Sequence, residues 1–289
     1  MPATVASQDS NRAAASPFLR WAGGKRWLSR IIRDIAPSKF GTYHEPFLGS
    51  GAIFFSLTPS KAELSDSNRR LIEAFEIVRD SPEQVIKRLG AYDYTREEYY
   101  RVRSGRPRTQ IGGAARFIYL NRTCWNGLYR VDRSGTFNVP YGKRGLFHSV
   151  DAERIRIAAS ALKTASLYYQ DFEVALRSVK SGDFVFLDPP YTVTHGDNGF
   201  LLYNERIFSW EDQERLAAAV REVDQKGAFF MLTNANHDSV ASLYDGFPKR
   251  PLERASILAA NPNNRRSVTE LVITNYTVSI PDKVPVPAS

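Results

Sequence analysis

Two hydrophobic patterns divide the chain. Short apolar runs of strand length, bounded by glycine, proline or acidic residues, occur towards both ends, at 42–45, 61–64, 166–171, 183–187 and 228–234. In the middle, from about residue 68 to about residue 163, apolar residues recur every three or four positions, which is typical of amphipathic helices. The clearest helical segments are 71–80, 83–89 and 115–125. The sequence therefore predicts strands alternating with helices at both ends and a mainly helical middle.

Three local signals refine this pattern. Two strand-like segments flank turn residues within 127–142 and predict a β-hairpin. Ser209 and Asp212 have the spacing of a capping box and predict that a helix begins at Trp210 and ends near residue 224. Two further strands are separated only by a polar loop and are expected to pair antiparallel, at 254–260 and 269–278.

The simplest assembly is a doubly wound α/β domain built from both ends of the chain, with a helical and hairpin domain inserted after its second strand. We expect the α/β domain to contain residues 16–67 and 165–278, and the inserted domain to contain residues 68–164. The polar segment 1–15 is expected to be a flexible leader, and the proline-rich segment 279–289 a flexible tail.

Composition narrows the classes of function. Hydrophobic residues make up 43% of the 289 residues, which is enough for a packed core. No stretch approaches the ~18 uninterrupted apolar residues of a membrane span. One cysteine and four histidines lack the spacing of zinc ligands, so we expect no metal and no internal disulfide. The single cysteine also fits a reducing cytosol.

The net charge of +8 is concentrated in the middle of the chain. Between residues 96 and 144 there are eleven positive residues, ten of them arginine, against three acids, so the rest of the chain is balanced. Arginine binds phosphate and guanine in bidentate fashion, and the aromatic residues interleaved with it suit nucleic-acid surfaces. The pattern predicts a nucleic-acid partner, although the charge alone leaves an ordinary solvated basic face open.

The first candidate site is Glu45–Gly51, with the sequence EPFLGSG, after the first predicted strand. Gly49 and Gly51 allow a tight turn and a close approach of the backbone to a ligand. Phe54 stands where a dinucleotide fingerprint needs its last glycine, so this is not that motif. Asp66, after the next strand, lies where such folds bind ribose hydroxyls. The alternatives are a plain turn for the glycines and a helix N-cap for Asp66.

The second candidate site is the tetrad formed by Asp188, Pro189, Pro190 and Tyr191, at the end of a buried strand. The prolines stiffen the turn and present carbonyl oxygens without N–H groups. Asp188 adds another acceptor, and Tyr191 adds a flat face. A group that needs two acceptors and a stacking surface is the exocyclic amine of a nucleobase. An ordinary turn at the end of a strand is the alternative.

These motifs carry a family resemblance. WAGGK, EPFLGSG, SDSN and DPPY, in that order, resemble the Dam-type (D12 class, alpha group) adenine-N6 DNA methyltransferases. LNRTCWNGLYR with GTFNVPYG, FSWEDQERL and NRRSVTELVITNY are similar to further family elements, so the resemblance runs from about residue 17 to about residue 276. It implies a Rossmann-like methyltransferase sheet, with the insert as target-recognition domain.

The resemblance implies S-adenosylmethionine as methyl donor. The residues that match the cofactor-binding motifs are Trp21, Lys25, Glu45, Phe47, Gly49, Gly51, Asp66 and Asp188. Among them, Asp66 would bind the ribose hydroxyls, whereas a role in the core is the alternative for Trp21. Asp188, Pro189, Pro190 and Tyr191 would be catalytic and would bind a flipped-out adenine.

The resemblance also implies double-stranded DNA as substrate, with GATC as the target sequence. Arg130 would read a guanine, whereas a phosphate contact or a salt bridge within the hairpin is the alternative. Trp125 and Asn126 would contact the duplex near the flipped base, and Leu128 and Pro140 would face a thymine methyl group. Arg20 would lie near the outer base of the site.

Three other functions stay open on the sequence. They are an RNA adenine-N6 methyltransferase, a non-catalytic DNA-binding protein with the same fold, and an NAD-linked enzyme, which the missing third glycine disfavours. We expect no membrane partner, a monomer in solution, and a place in the bacterial cytoplasm or a phage-infected cell. A restriction endonuclease partner is compatible with the resemblance.

Overall fold

The computed structural model describes residues 3–4, 15–21, 24–25, 28–132, 134–142, 151–192, 208–255 and 267–278. Its strands, in chain order, are β1 (Ala3–Thr4), β2 (Lys39–Phe40), β3 (Tyr43–Glu45), β4 (Ala62–Asp66), β5 (Ala165–Tyr169), β6 (Phe184–Leu187), β7 (Phe229–Ala235), β8 (Lys249–Ala255) and β9 (Ser267–Thr274). Its helices are α1 (Ser29–Ile35), α2 (Ala52–Leu57), α3 (Arg69–Asp80), α4 (Pro82–Leu89), α5 (Arg96–Ser104), α6 (Gln110–Thr123), α7 (Ala152–Leu162), α8 (Phe172–Arg177), α9 (Trp210–Gln225) and α10 (Asp238–Leu243).

The described residues form two compact units. The first unit takes in described residues of 1–4, 27–47 and 171–289, and the second takes in those of 5–26 and 48–170. The seven strands β3 to β9 are divided between the units, five in the first and two in the second, which confirms the mixed α/β class. The domain boundaries expected from the sequence, 16–67 with 165–278 for one domain and 68–164 for the other, stay a prediction.

The five strands of the first unit follow the order β3-β6-β7-β9-β8. β3, β6 and β7 are parallel, whereas β9 is antiparallel to both β7 and β8. The expected antiparallel pair at the end of the chain is therefore confirmed. Its first strand begins earlier than expected, at Lys249, and residues 256–266 of the predicted strand and loop lie outside the described residues.

The core of the first unit surrounds β6. All four residues of β6 are buried, which explains why it reads as an uninterrupted apolar run rather than an alternating one. Helices α8 and α9 contribute Phe172, Leu216 and Val220 to this core. The capping box of Ser209 and Asp212 is present at the beginning of α9, as predicted. β6 is thus a rigid support for the residues that follow it.

Asp183 joins the start of β6 to the start of β3. Its carboxylate accepts hydrogen bonds from the backbone N–H of Thr42 (2.7 Å) and of Lys180 (2.9 Å), and its Oδ2 lies 3.1 Å from Nε2 of His44. Burial opposes the charge, but these hydrogen bonds hold the pKa of Asp183 below its usual value. A Cβ on Gly41 would lie 2.5 Å from Oδ1 of Asp183, so this joint also requires a glycine.

The second unit combines one parallel strand pair with a group of helices. β4 pairs with β5, and α6 packs against α3, α4 and α5. The predicted hairpin is confirmed by antiparallel bridges between Cys124 and Tyr141 and between Val131 and Phe137. Within the described residues, no helix combines the length and the apolarity that crossing a membrane requires.

Residues 5–14 of the expected leader and residues 279–289, the expected tail, lie outside the described part of the chain. The short strand Ala3–Thr4 pairs antiparallel with Lys39–Phe40 in the first unit.

Candidate functional site

The glycine loop closes tightly within the second unit. Gly49 and Gly51 have φ angles of +50° and +68°, which residues with a Cβ rarely adopt. The Gly49 N–H donates to Oδ2 of Asp66 (3.0 Å), and a Cβ on Gly49 would lie 2.9 Å from Cδ1 of Trp21. The structure thus brings together four residues that the sequence predicted for one site: Trp21, Gly49, Gly51 and Asp66.

Asp66 is positioned by the end of β4 and is not a helix cap. Its Oδ1 accepts from the N–H of Asn68 (2.9 Å), whereas the N-cap of α3 is Asn68 itself, which accepts from the N–H of Leu71 (3.2 Å). The N-cap alternative for Asp66 is therefore wrong. Burial raises the pKa of Asp66 to about 6, although the N–H groups of Gly49 and Asn68 favour the charged form. A carboxylate whose pKa is raised in this way is well suited to accept hydrogen bonds from a ligand.

Trp21 is shared between the glycine loop and the hairpin. Its ring stacks on Tyr129 at 5.9 Å between centroids and lies 6.4 Å from Phe117. The side chain is half-buried, so one part supports the local core while another part stays accessible. Lys25, four residues later, is 4% exposed, which is uncommon for a lysine that has no specific task.

Glu45 and Phe47 lie in the first unit and are committed to local contacts. Glu45 is buried, and its Oε2 accepts a hydrogen bond from the hydroxyl of Tyr43 (2.8 Å). The ring of Phe47 stacks on Phe172 and meets Phe208 edge-on. These contacts give both residues a structural task, and their cofactor roles stay predictions.

The tetrad follows β6 in the first unit. Asp188 and Tyr191 are half-buried, whereas Pro189 is buried. The hydroxyl of Thr233 on β7 donates to Oδ1 of Asp188 at 2.7 Å. Asp188 is therefore held at the carboxyl end of a buried parallel strand, the usual place for ligand-binding groups in α/β folds.

A second contact holds the tetrad from helix α9. Nε2 of Gln213 lies 3.4 Å from the carbonyl oxygen of Pro190 and 3.2 Å from Oγ1 of Thr192. Gln213 and Thr233 were missed by the sequence analysis. The available signal was a glutamine among the apolar positions of an amphipathic helix, since Leu216, Ala217 and Val220 bury the same face.

The hairpin presents its predicted nucleic-acid residues to solvent. Trp125 is 49% exposed, and Asn126, Arg130 and Pro140 are exposed as well, whereas Leu128 is half-buried. Nε of Arg130 donates to Oδ1 of Asn138 across the hairpin at 2.8 Å. This contact is a hydrogen bond to a neutral amide and not the salt bridge that the sequence left open.

Arg20 lies beside the base of this hairpin. Its backbone N–H donates to Oδ1 of Asn121 (2.8 Å), and Nδ2 of Asn121 donates back to the carbonyl of Arg20 (2.6 Å). Gly127 has a φ of +65°, and a Cβ on it would lie 2.6 Å from Cβ of Arg20. The structure thus groups Arg20 with the hairpin residues, and Asn121, which the sequence analysis missed, fixes this arrangement.

Cys124 is part of the hairpin base, and its thiol is expected to be unreactive. Its Sγ lies 3.2 Å from the carbonyl oxygen of Leu128, and burial raises the pKa of the thiol to about 12. A thiol with such a pKa stays protonated at neutral pH and is a poor nucleophile. In the part of the chain that the structure describes, no group of three or more histidine, cysteine, aspartate or glutamate side chains could hold a metal ion.

Comparison with known proteins identifies a family. Residues 21–258 match the family model described as D12 class N6 adenine-specific DNA methyltransferase. Similar proteins include the type II methyltransferase M1.LlaDCHI of Lactococcus lactis subsp. cremoris, 37% identical over 92% of this chain and 97% of the relative. The type II methyltransferase M.MjaIII of Methanocaldococcus jannaschii is 33% identical, with 90% and 99% covered. The DNA adenine methylase of Haemophilus influenzae is 28% identical, with 89% and 92% covered.

Proposed function

Because this chain belongs to the D12 class N6 adenine-specific DNA methyltransferases, we propose that it methylates an adenine flipped out of duplex DNA, within the sequence GATC, with S-adenosylmethionine as donor. The observation that carries the proposal is the Asp188 carboxylate, which is fixed by Thr233 at the end of a buried strand and followed by Pro189, Pro190 and Tyr191. This arrangement offers two acceptors and an aromatic face to an amino group.

The glycine loop of the second unit fits the proposed donor. Gly49 lets the backbone of the loop approach Trp21 closely, Gly51 provides the left-handed turn that follows, and Asp66 offers a carboxylate to the ribose hydroxyls. Trp21 and the buried Lys25 complete the set in this unit. S-adenosylmethionine supplies an electrophilic methyl group when it is bound.

The tetrad prepares the adenine amine as nucleophile. The N6 hydrogens donate to the Asp188 carboxylate and the Pro189 carbonyl, while Tyr191 stacks on the base. These two acceptors draw the nitrogen towards a tetrahedral geometry, so its lone pair is less delocalised into the ring. The bound donor would supply an electrophilic methyl carbon to this lone pair and would leave as S-adenosylhomocysteine, while the Asp188 carboxylate would pass the displaced N6 proton to solvent. Positioning and electrostatics supply the catalysis.

The hairpin of the second unit supplies the proposed readout. Arg130 binds a guanine through the part of its fork that Asn138 leaves available, since only Nε contacts Asn138. Trp125 and Asn126 contact the duplex beside the flipped adenine, and Leu128 and Pro140 face a thymine methyl group. Arg20, held by Asn121, contacts the outer base pair.

The cellular role follows from this activity. We propose that the protein acts as a monomer on chromosomal or phage DNA in the cytoplasm of a bacterium or a phage-infected cell. Relatives named type II methyltransferases support a pairing with a restriction endonuclease of the same specificity.

Methyl transfer to matched duplexes tests the proposal. Labelled S-adenosylmethionine is offered with two duplexes that differ only in GATC against a scrambled site, and the nucleosides are then separated. We expect N6-methyladenine in the GATC duplex alone. If genomic DNA is methylated but neither duplex is, GATC is not the target sequence. The proposed transfer of a methyl group to adenine N6 would still stand. Methylation of structured RNA alone would replace the DNA substrate.

Replacing Asp188 tests the proposed chemistry. Asp188→Ala removes one of the two acceptors for the amine, so we expect the methyl-transfer rate to fall by about 100- to 1000-fold or more. Because the change is local, DNA affinity and the urea unfolding midpoint should stay close to wild type. Asp188→Asn, which keeps one carbonyl acceptor of the same shape, is the matched control and should retain more activity. Near-normal turnover by Asp188→Ala would contradict the assignment.

A further inference from the structure

A threonine outside the tetrad controls the orientation of its carboxylate. Oγ1 of Thr233 lies 2.7 Å from Oδ1 of Asp188 and 3.4 Å from the carbonyl oxygen of Leu187. A hydroxyl has one hydrogen, and the shorter contact to a charged acceptor is much the stronger of the two. Thr233 is fully buried, so this bond is shielded from water. It therefore ties Oδ1 of Asp188 to β7.

A glutamine holds the other end of the tetrad. Gln213 has no exposed surface, and its Nε2 lies within hydrogen-bond distance of the Pro190 carbonyl and of the Thr192 hydroxyl. Its Oε1 accepts from Nδ2 of Asn234 at 3.0 Å. Burying an amide is costly unless it is hydrogen-bonded, and here the acceptor and both hydrogens are used. An apolar residue would suit this helix face better if packing were the only requirement.

Consecutive residues of one strand support both contacts. Thr233 and Asn234 follow each other on β7, which pairs in parallel with β6 through Leu187 and Leu232. Successive side chains of a strand point to opposite faces of the sheet. Thr233 therefore reaches Asp188 from one face, and Asn234 supports Gln213 on the other. The turn that carries the tetrad is held from both faces.

We propose that Thr233 and Gln213 are positioning residues for methyl transfer, an inference that rests on the proposed function. Thr233 fixes Oδ1 of Asp188 and thereby the orientation of the carboxylate that accepts from the adenine amine. Gln213 fixes the Pro190 carbonyl and thereby the plane of the peptide that links Pro190 to Tyr191. This peptide lies in the chain between the Pro189 carbonyl and the Tyr191 ring. Neither residue contacts the substrates, so the expected signature is a slower chemical step with unchanged binding.

The first test replaces the threonine hydroxyl. Thr233→Val keeps the shape and removes the donor, whereas Thr233→Ser keeps the donor and serves as the control. In single-turnover methyl transfer with saturating DNA and S-adenosylmethionine, we expect Thr233→Val to be slower by about 10- to 100-fold. The Kd values for DNA and S-adenosylmethionine should change by less than about threefold. Thr233→Ser should restore most of the rate.

The second test replaces the glutamine amide. Gln213→Met keeps the length of the side chain and loses its hydrogen bonds, and Gln225→Met, at an exposed position of the same helix, is the matched control. We expect the single-turnover rate of Gln213→Met to fall by about tenfold or more, with little change for Gln225→Met. If Thr233→Val does not fold, as judged by circular dichroism, Thr233→Ala removes the same donor in a smaller side chain and takes its place, and Gln213→Met tests the other contact independently.

The outcomes separate this inference from the proposed function. A wild-type protein that transfers no methyl group to any nucleic acid would overturn the proposed function itself. An active wild type with folded Thr233→Val and Gln213→Met variants within twofold of its rate would overturn the positioning role alone. A loss confined to Kd, or one shared fully by Thr233→Ser, would do the same.

Discussion

At the scale of single residues, the half-buried Asp66 has a carboxylate whose charge is controlled by two opposing effects. Two backbone N–H groups stabilise its charge, yet burial outweighs them and raises its pKa to about 6. The charged form is therefore only modestly favoured at neutral pH. Ribose hydroxyls would donate to this carboxylate and favour its charged form further.

The raised pKa of Asp66 predicts how cofactor affinity depends on pH. Below pH 6 the carboxyl is mostly protonated and is a poorer acceptor, so we expect the Kd for S-adenosylmethionine to be about tenfold higher at pH 5 than at pH 8. Calorimetric titration across this range measures it. Asp66→Asn should bind more weakly and lose the pH dependence. An affinity that stays flat between pH 5 and 8 in the wild type would contradict the role.

The same residue predicts a stability effect with a defined sign. A carboxyl whose pKa is raised from 3.8 to about 6 on folding contributes stability below about pH 4, and that contribution is lost as the pH rises through 6. At pH 7, Asp66→Asn should therefore leave the unliganded protein as stable as wild type or more so.

Arg130 is a second residue whose neighbour sets the geometry of its proposed contact with DNA. Nε of Arg130 donates a hydrogen bond to Oδ1 of Asn138, which orients the guanidinium without neutralising its charge. Arginine reads guanine through two parallel hydrogen bonds, so orientation matters as much as charge.

We predict that Arg130→Ala lowers the preference for GATC over a scrambled site by about 10- to 100-fold, because one bidentate contact is worth ~1–3 kcal/mol. Asn138→Ala should lower the preference less, since it only loosens the guanidinium. Binding competition between the two duplexes gives both values. Arg108→Ala, an exposed loop residue, is the control and should weaken both complexes equally. An equal loss on both sequences for Arg130→Ala would rule out base readout.

At the scale of elements, the hairpin and the segment before Trp21 form one piece. Asn121 binds both backbone groups of Arg20, and its Nδ2 also lies 3.3 Å from the Gly127 carbonyl. Gly127 leaves room for Arg20 only because it has no Cβ. The proposed recognition element is thus larger than the hairpin motif in the sequence.

Substitutions at two glycines of the hairpin distinguish the effect of backbone strain from the effect of the close approach between Gly127 and Arg20. Gly127→Ala would meet both a φ of +65° and the Cβ of Arg20 at 2.6 Å, so we expect a loss of ~1–3 kcal/mol in unfolding free energy and a weaker preference for GATC. Gly135→Ala has a φ of +76° with nothing within 4 Å of its Cβ, so it should cost about 1 kcal/mol and leave the preference unchanged. Urea unfolding and duplex competition measure the two effects. Equal behaviour of the variants would remove Arg20 from the recognition element.

Elements with strong local signals were predictable from the sequence. The capping box fixed the beginning of α9, and the turn residues fixed the hairpin. β8 was misplaced because its first residues, Lys249 and Arg250, are charged and it pairs at the edge of the sheet, where alternation is weak.

At the scale of the whole molecule, several arginines of the basic insert are engaged in contacts within the protein. Fewer of them are therefore available to bind DNA than the composition indicates. Arg116 donates to the carbonyls of Val102 and Arg103, and Arg101 forms an ion pair with Glu98. Arg103 donates to the Val139 carbonyl. Arginine thus stabilises the insert as well as charging its surface.

This division predicts the salt dependence of DNA binding. Arg106→Ala and Arg108→Ala remove exposed charges of the insert, so each should reduce the slope of log K against log salt by about 1. Arg177→Ala, an exposed arginine of the first unit, should leave the slope unchanged. Titrations of one duplex between 50 and 200 mM salt, roughly the range over which such slopes are large, provide the measurement. Identical slopes for all four proteins would exclude this surface from DNA binding.

The site was only partly predictable at this scale. The sequence singled out the tetrad, the glycine loop and Asp66 as site candidates because their residue types are unusual at these positions. Thr233, Gln213 and Asn121 were missed because their tasks depend on partners 45, 23 and 101 residues away in the chain, which no local pattern reveals.

The joint between Thr42 and Asp183 has a consequence for biosynthesis. The two residues are 141 positions apart, so at ~5–20 residues per second the ribosome delivers Asp183 roughly 7 to 30 s after Thr42. All of residues 48–170 emerge during that interval, and their helices form in far less time. The edge of β3 that pairs with β6 must therefore stay open until β6 has been synthesised. Nascent chains that stall within this interval are those most exposed to chaperones and proteases.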